Sequence, residues 1–342
     1  MVITFNSIRL AFETNLLIMS IPLITVIGSL NIDVIASTAR IPLGGETIRA
    51  HSDLGSGGKG ANSAVSCARL SRNKDAVQSG DVRVKMVGAV GDDPFGPGLV
   101  HDLELSGIDV EGVAIKKGEE TGVAVVLVEK DTGENRILIS PNANDSLRPE
   151  DFSHLHPPLP DLIVLQLEIP VEVVLQILEA ASKQNVEVLL NNSPCQKLPD
   201  HAYKAVTHLI VNESEASIMT GNEGRNVNWL EDCPERRALF SIGAKHITVT
   251  LGAKGGCYGA SNDGKGHAFK AKKVQVIDTT AAGDTFIGAY AVAVAVDKRR
   301  DSTTMLRNIA WASEAAAITV QRAGAQVAIP WKDNLPPLDS EP

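Results

Sequence analysis

The sequence predicts an α/β protein with a central, mostly parallel sheet flanked by helices and a small β-sheet lid. Three observations predict it. Short apolar runs alternate with helix-spaced segments, the apolar residues are mainly aliphatic, and two strand-like polar stretches interrupt the alternation.

Of the 342 residues 44% are hydrophobic, 21% are charged and only 4% are aromatic. Such a composition suits buried parallel strands beneath close-packed helices. The net charge of −9 gives no basic footprint, so neither nucleic acid nor a membrane is expected as a partner. Cys67, Cys195, Cys233 and Cys257 show neither metal-ligand spacing nor a disulfide pattern. A reducing compartment follows, and a cytoplasmic (or nuclear) location is expected.

The first element is the run Leu23–Gly28. The wider apolar stretch from Leu16 to Leu30 raises the alternative of a secretion signal. Pro22 interrupts it, Glu13 precedes it, and no small-residue cleavage site stands before Asn31, so Leu23–Gly28 reads as a buried strand. Residues 1–20 are then an extension outside the domain. Further strands are expected at Val84–Val90, Leu162–Leu167, Val186–Leu190, His208–Val211 and His246–Leu251. Helices are expected at Gly60–Leu70, Pro94–Ser106, Val171–Gln184, Glu213–Thr220 and Pro234–Ile242, followed by Gly283–Val296 and Ser302–Val320. The lid is assigned to residues of about 34–54, with a turn at Pro42–Gly45, and about 112–141, with a hairpin turn at Asp131–Glu134. A single domain spans 21–332, and the acidic, Pro-rich 333–342 reads as a loose tail.

The motif with the most chemistry runs from Val276 to Phe286, where a strand is expected to end at Asp278 and a helix to open near Gly283. Ala281, Ala282 and Gly283 leave backbone N–H groups open to a phosphate at a helix N-terminus. Asp284 beside them can accept a hydroxyl proton. Helix capping alone explains an aspartate in a first turn, but not the run of small residues before it.

The second motif, Gly55-Ser-Gly-Gly-Lys-Gly-Ala-Asn62, satisfies G-x-G-x-x-G. It is no dinucleotide fingerprint, because a polar segment precedes it and no acidic residue ends the next strand. Nor is it a P-loop, since no Ser or Thr follows Lys59. Gly57, Gly58, Lys59 and Asn62 instead allow a polar ligand close to the backbone. Asn31 and Asp33 alternate on a strand-like segment, and Asp33 can accept from two neighbouring hydroxyls. Asn212 and Glu215 form an N-x-x-E that suits either a water-coordinated magnesium ion or a helix capping box. The turn Thr250-Leu-Gly-Ala-Lys-Gly255 can lie against a nucleotide.

In order, these strings resemble the ribokinase-like (PfkB) family of carbohydrate kinases, over residues of about 23–332. Its two signatures stand as Gly57–Asn62 and Asp278–Asp284. The resemblance implies ATP-dependent phosphorylation of a sugar, D-ribose above others, with Asp284 as base and Ala281–Gly283 as anion hole. It places Asn31, Asp33, Gly57, Gly58, Lys59, Asn62 and Glu168 on the sugar. Asn212, Glu215, Thr250, Leu251, Gly252, Ala253, Lys254, Gly255, Gly283 and Ser313 fall on the side of ATP and Mg2+. An activating K+ would be held by Asp278, Thr280, Thr319, Arg322, Gly324 and Ala328, and the lid would form a homodimer. Three stretches depart from the family pattern: Trp311–Glu314 lacks the usual His or Asn near adenine, Asn191–Pro194 replaces Asn-Pro-Ala-Pro, and Asn142–Asn144 replaces Gly-Ala-Asn.

Overall fold

The computed structural model describes residues 21–129, 135–261 and 265–338. The N-terminal extension and the Asp131–Glu134 turn lie outside the described residues.

The main sheet has nine strands among the described residues. They are β1 (Leu23–Ile27), β4 (Arg83–Gly91), β5 (Asp109–Lys116), β8 (Leu162–Leu165), β9 (Glu187–Asn191), β10 (His208–Asn212), β11 (His246–Thr250), β12 (Gly256–Ala260) and β13 (Gly266–Phe269). Their spatial order is β13-β12-β11-β10-β9-β8-β1-β4-β5, and all pairs are parallel except β11–β12 and β12–β13. The lid is a second sheet of β2 (Asn31–Thr38), β3 (His51–Gly57), β6 (Gly122–Glu129) and β7 (Asn135–Ser140), in the order β3-β2-β6-β7. Two antiparallel hairpins are thus fused by a parallel β2–β6 pairing.

Among the described residues the helices are α1 (Lys59–Leu70), α2 (Gly96–Leu105), α3 (Val171–Lys183), α4 (Asp200–Tyr203), α5 (Glu213–Met219), α6 (Pro234–Phe240), α7 (Ala282–Val296) and α8 (Ser302–Thr319). Alternation along the strands splits the core into two layers. Ile24, Val26 and Val164 face a cluster with Ile287, Tyr290 and Ile309, whereas Ile27, Ile163 and Leu165 face Val173 and Ile177. Helix α7 is buried along nearly its whole length between α1 and α8. That burial explains its Ala-rich sequence, because only small side chains permit such close approach. A Cβ on Gly288 would sit 2.2 Å from Ser66 Cβ.

Three expectations require correction, and two strands were missed. Val276–Asp278 is not a strand: it is irregular, Val276 and Ile277 are exposed, and the Ile277 and Asp278 N–H groups both donate to Val320 O. Residues 112–116 belong to β5 of the main sheet, not to the lid, because Gly112–Lys116 pair in parallel with Val87–Gly91. The Gly-rich β12 and short β13 carry no apolar run and were not anticipated. Finally, residues 333–338 are packed: Leu335 and Leu338 rest on the core, and Trp311 Nε1 donates to Pro336 O at 3.0 Å.

Candidate active site

The two signatures meet where α1 and α7 begin, at the carboxyl edge of the parallel strands. Asn62 and Ser66 are one turn apart on α1, as Asp284 and Gly288 are on α7, so the two helices lie side by side in the same direction. Asn62 Nδ2 donates to Asp284 Oδ2 at 2.9 Å, and both residues are buried. Asn62 Oδ1 has no hydrogen-bond partner among the described residues.

Glycine positions this approach in two ways. A Cβ on Gly57 would lie 2.2 Å from the Asp33 carboxylate, so glycine makes room for that acid. Gly58 caps α1 at φ 87°, a conformation that costs other residues dearly. Beyond it, Glu168 Oε2 accepts from Ser29 Oγ at 2.6 Å, Lys59 N at 3.1 Å and Asn31 Nδ2 at 3.4 Å. Ser29 was not anticipated, and neither was Asn144, whose Nδ2 donates to Asn31 Oδ1 at 2.8 Å. The signal for Asn144 lay in the altered Asn142-Ala-Asn144 string. Asn142 adopts φ 47°, and asparagine is the residue that best substitutes for glycine there.

The electrostatics are those of crowded carboxylates around one ammonium. Burial, then Glu168 and Asp284, push Asp33 up to about 7 against the pull of Lys59. Burial also raises Asp284, opposed by Lys59 and the Asn62 hydrogen bond. Burial works against the Lys59 charge, but Asp284, Glu168, Glu215 and Asp33 outweigh it and raise its pKa.

A cavity of about 670 Å³ opens from Lys59, Gly283 and Asp284 towards Ser313. Asn212, Glu215, Thr250, Leu251, Gly252, Ala253 and Gly255 line one side, and Val276, Ala316, Ala317 and Val320 the other. Lys254 is not among the lining residues; its Nζ lies 3.5 Å from Glu213. Lys272 and Lys273 line the cavity without having been anticipated, and Lys272 Nζ donates to Glu314 Oε2 at 2.7 Å. The capping reading of Asn212 and Glu215 holds, since each side chain accepts from the other's N–H at 2.9 Å. One Glu215 oxygen is committed in this way.

At the head of α7, Ala281 is left-handed at φ 57°, and its carbonyl accepts from Thr285 N at 2.8 Å. Ala282 N donates to Thr279 O at 3.2 Å, which removes it from the three expected anion-hole donors. The N–H groups of Gly283 and Asp284 lie in the first turn, where no helix carbonyl precedes them. Behind this loop, Asp278 Oδ1 accepts from Thr280 N and Oγ1, and Oδ2 from Gly324 N. These bonds outweigh burial and hold the Asp278 carboxyl below its usual range. Thr319 Oγ1 donates to Thr285 Oγ1 at 3.0 Å, and Arg322 Nη1 lies 3.4 Å from Ala328 O. Of the six residues expected around a monovalent cation, these bonds join Asp278, Thr280 and Gly324, and separately Arg322 with Ala328, while Thr319, the last residue of α8, bonds Thr285. Among the described residues no group of three or more His, Cys, Asp or Glu is placed to hold a metal ion, and no helix is long and apolar enough to cross a membrane.

Residues 22–332 match the pfkB family carbohydrate kinase family. The chain belongs to that family. This carbohydrate kinase is 38% identical over 314 residues to a ribokinase of Schizosaccharomyces pombe, an alignment covering 90% of this chain and 94% of the relative. It is 36% identical over 272 residues to a deoxyribokinase of Salmonella typhi, covering 78% and 84%. The structure of Arabidopsis thaliana ribokinase complexed with ribose and ATP superposes with a TM-score of 0.76 at 29% identity, covering 92% of this chain and 97% of that one. Asp284 lines the cavity that reaches Ser313 and, with Glu168, acts electrostatically on Asp33.

Proposed function

We propose that this kinase transfers the γ-phosphoryl group of ATP to the 5-hydroxyl of D-ribose, giving D-ribose 5-phosphate and ADP. The observation that carries the reading is the buried Asn62–Asp284 pair at the junction of the carboxylate cluster and the cavity. The ribokinase relatives support ribose as the sugar.

Asp33 accepts from two adjacent sugar hydroxyls, while Asn31, Gly57, Gly58, Lys59, Asn62 and Glu168 surround the ring. The otherwise unpartnered Asn62 Oδ1 takes a further hydroxyl. ATP lies along the cavity, with its base beside Ser313 and its triphosphate along the Thr250–Gly255 turn. As the 5-oxygen attacks the γ-phosphorus, its proton passes to Asp284 and the bond to the β-bridging oxygen breaks towards ADP. The Gly283 and Asp284 N–H groups and the Lys59 ammonium stabilise the transferring phosphoryl charge. Positioning and charge supply most of the acceleration in such transfers. The free Glu215 oxygen and Asn212 suit Mg2+ bound through waters, which neutralises phosphate charge when present. The carbonyl-rich set Asp278, Thr280, Thr319, Arg322, Gly324 and Ala328, with an ionised carboxylate, suits K+, which would fix the anion loop.

The exposed Leu54, Ile137, Leu138 and Ile139 on the lid support a homodimer formed through that sheet. The four unpaired cysteines fit a cytoplasmic (or nuclear) enzyme.

The test is ADP release from magnesium ATP with ribose, 2-deoxyribose, fructose, adenosine and ketodeoxygluconate, each with and without K+. Ribose-dependent release is expected. Release with a different acceptor alone would move the substrate assignment, and sugar binding without any release would sink the kinase reading.

A further inference from the structure

All four lid strands enter the body of the molecule at Asn31. Its Cα pairs with Gly57, the end of β3, and with Gly122, the start of β6. Its side chain meets Asn144, three residues after Pro141 closes β7. Asn144 is fully buried and clips these ends together. Its Oδ1 accepts from Leu30 N at 2.9 Å, and its Nδ2 faces Asn31 Oδ1 at 2.8 Å, Pro141 O at 3.0 Å and Leu30 O at 3.2 Å.

This arrangement dictates which way the Asn31 amide points. A backbone N–H can only donate and a backbone C=O can only accept. Leu30 N therefore requires Asn144 to present its oxygen, and Leu30 O and Pro141 O require it to present its nitrogen. The nitrogen in turn requires Asn31 to present Oδ1. What remains is Asn31 Nδ2, which is directed at Glu168 Oε2 and into the carboxylate cluster. The chain of obligations begins at a main-chain amide and ends at the sugar side of the site. It leaves no space to spare: a Cβ on Gly122 would lie 2.2 Å from both Asn144 Nδ2 and Asn31 Oδ1.

We propose that Asn144 is a positioning residue for the sugar: it fixes the Asn31 amide as a donor towards Glu168 and the acceptor hydroxyls, and so ties the angle of the lid base to sugar binding. The inference rests on the assignment of the Asn31–Asp33–Glu168 cluster to the sugar. Asn144 touches neither substrate nor the reacting atoms.

Two variants test it by different routes. Asn144→Ala removes the donor, and Gly122→Ala leaves every polar group in place while forcing the Asn144–Asn31 pair apart. Both are expected to raise the sugar KM about tenfold, the loss of one well-made hydrogen bond. The ATP KM at saturating sugar and kcat should stay within about threefold of wild type, no more than about half of the tenfold change in free energy. A merely structural role would lower the melting temperature and the active fraction without splitting the two KM values. Unshifted sugar KM in whichever variant folds, or equal rises in both KM values, would overturn the proposal. Failure of the wild type itself to use ribose would instead remove the reading beneath it.

Discussion

The side-chain amide of Asn62 donates to Asp284 Oδ2 at 2.9 Å, joining residues 222 apart in sequence. The bond exists because α1 and α7 run side by side with Ser66 against Gly288, two positions without bulk. It directs one lone pair of Asp284 to Asn62; in the proposed transfer, Oδ1 takes the proton of the acceptor hydroxyl.

Asp284→Asn should retain the fold, since the amide is isosteric, and lower kcat by about 10³-fold, the middle of the range for a lost general base. Single-turnover phosphoryl transfer with circular dichroism of the same sample checks this. Near-normal turnover would exclude Asp284 as the base.

Asp33 gives a pH dependence. At about 7 its pKa lies above the ordinary 3.8, so the native apo protein keeps a proton that the unfolded chain has shed. Its contribution to stability is complete below pH 3.8 and is lost as pH rises through 7. In its proposed role Asp33 accepts from the sugar hydroxyls as the ionised carboxylate, so affinity should improve up to pH 7 and then level off. At pH 5.5 the dissociation constant should be about 30-fold weaker than at pH 8, as follows from 1.5 units of protonation. Calorimetric titrations at both pH values measure it, and a pH-independent constant would refute the role of Asp33.

Ala281 sits at φ 57°, where a side chain costs roughly 1–2 kcal/mol, and glycine recovers this less about 0.5–1 kcal/mol of added chain entropy. Ala281→Gly should therefore stabilise the protein by about 0.5 kcal/mol with turnover preserved. A urea titration of both forms decides the sign.

Asp278 ties Thr280 to Gly324, and the cation reading depends on that tie. Asp278→Ala should abolish stimulation by K+ while leaving basal turnover in Na+ within about fivefold, because it removes the carboxylate proposed to hold the cation and leaves Asp284 and Lys59 in place. Stimulation that survives would place the cation elsewhere.

How much of this was legible follows from the range of each interaction. The alternation of apolar runs gave β1, β4, β8, β9, β10 and β11 because a buried parallel strand must be apolar on both faces. The spacing of Asn31 and Asp33, the capping box at Asn212 and the open first turn at Gly283 are local, and local chemistry is written in adjacent residues. The strands β12 and β13 at one end of the sheet left no such trace, since Gly256 and Gly259 are there for the close approach of Phe269 and Phe240, which only the fold brings near. Residues 112–116 read as lid because β5 is half-exposed like a lid strand, and only pairing with β4 assigns it to the main sheet. Val276–Asp278 read as a strand because it is apolar, yet its N–H groups found Val320 instead of a neighbouring strand. The sequence alone therefore determined the fold class, the two signatures and the residue types of the site. Tertiary structure decided which atoms face one another: that Asn62 reaches Asp284, that Ala282 N is already engaged, and that Asn144 orients Asn31. A hydrogen bond between distant residues depends on how helices and strands pack, and that packing is a property of the whole chain.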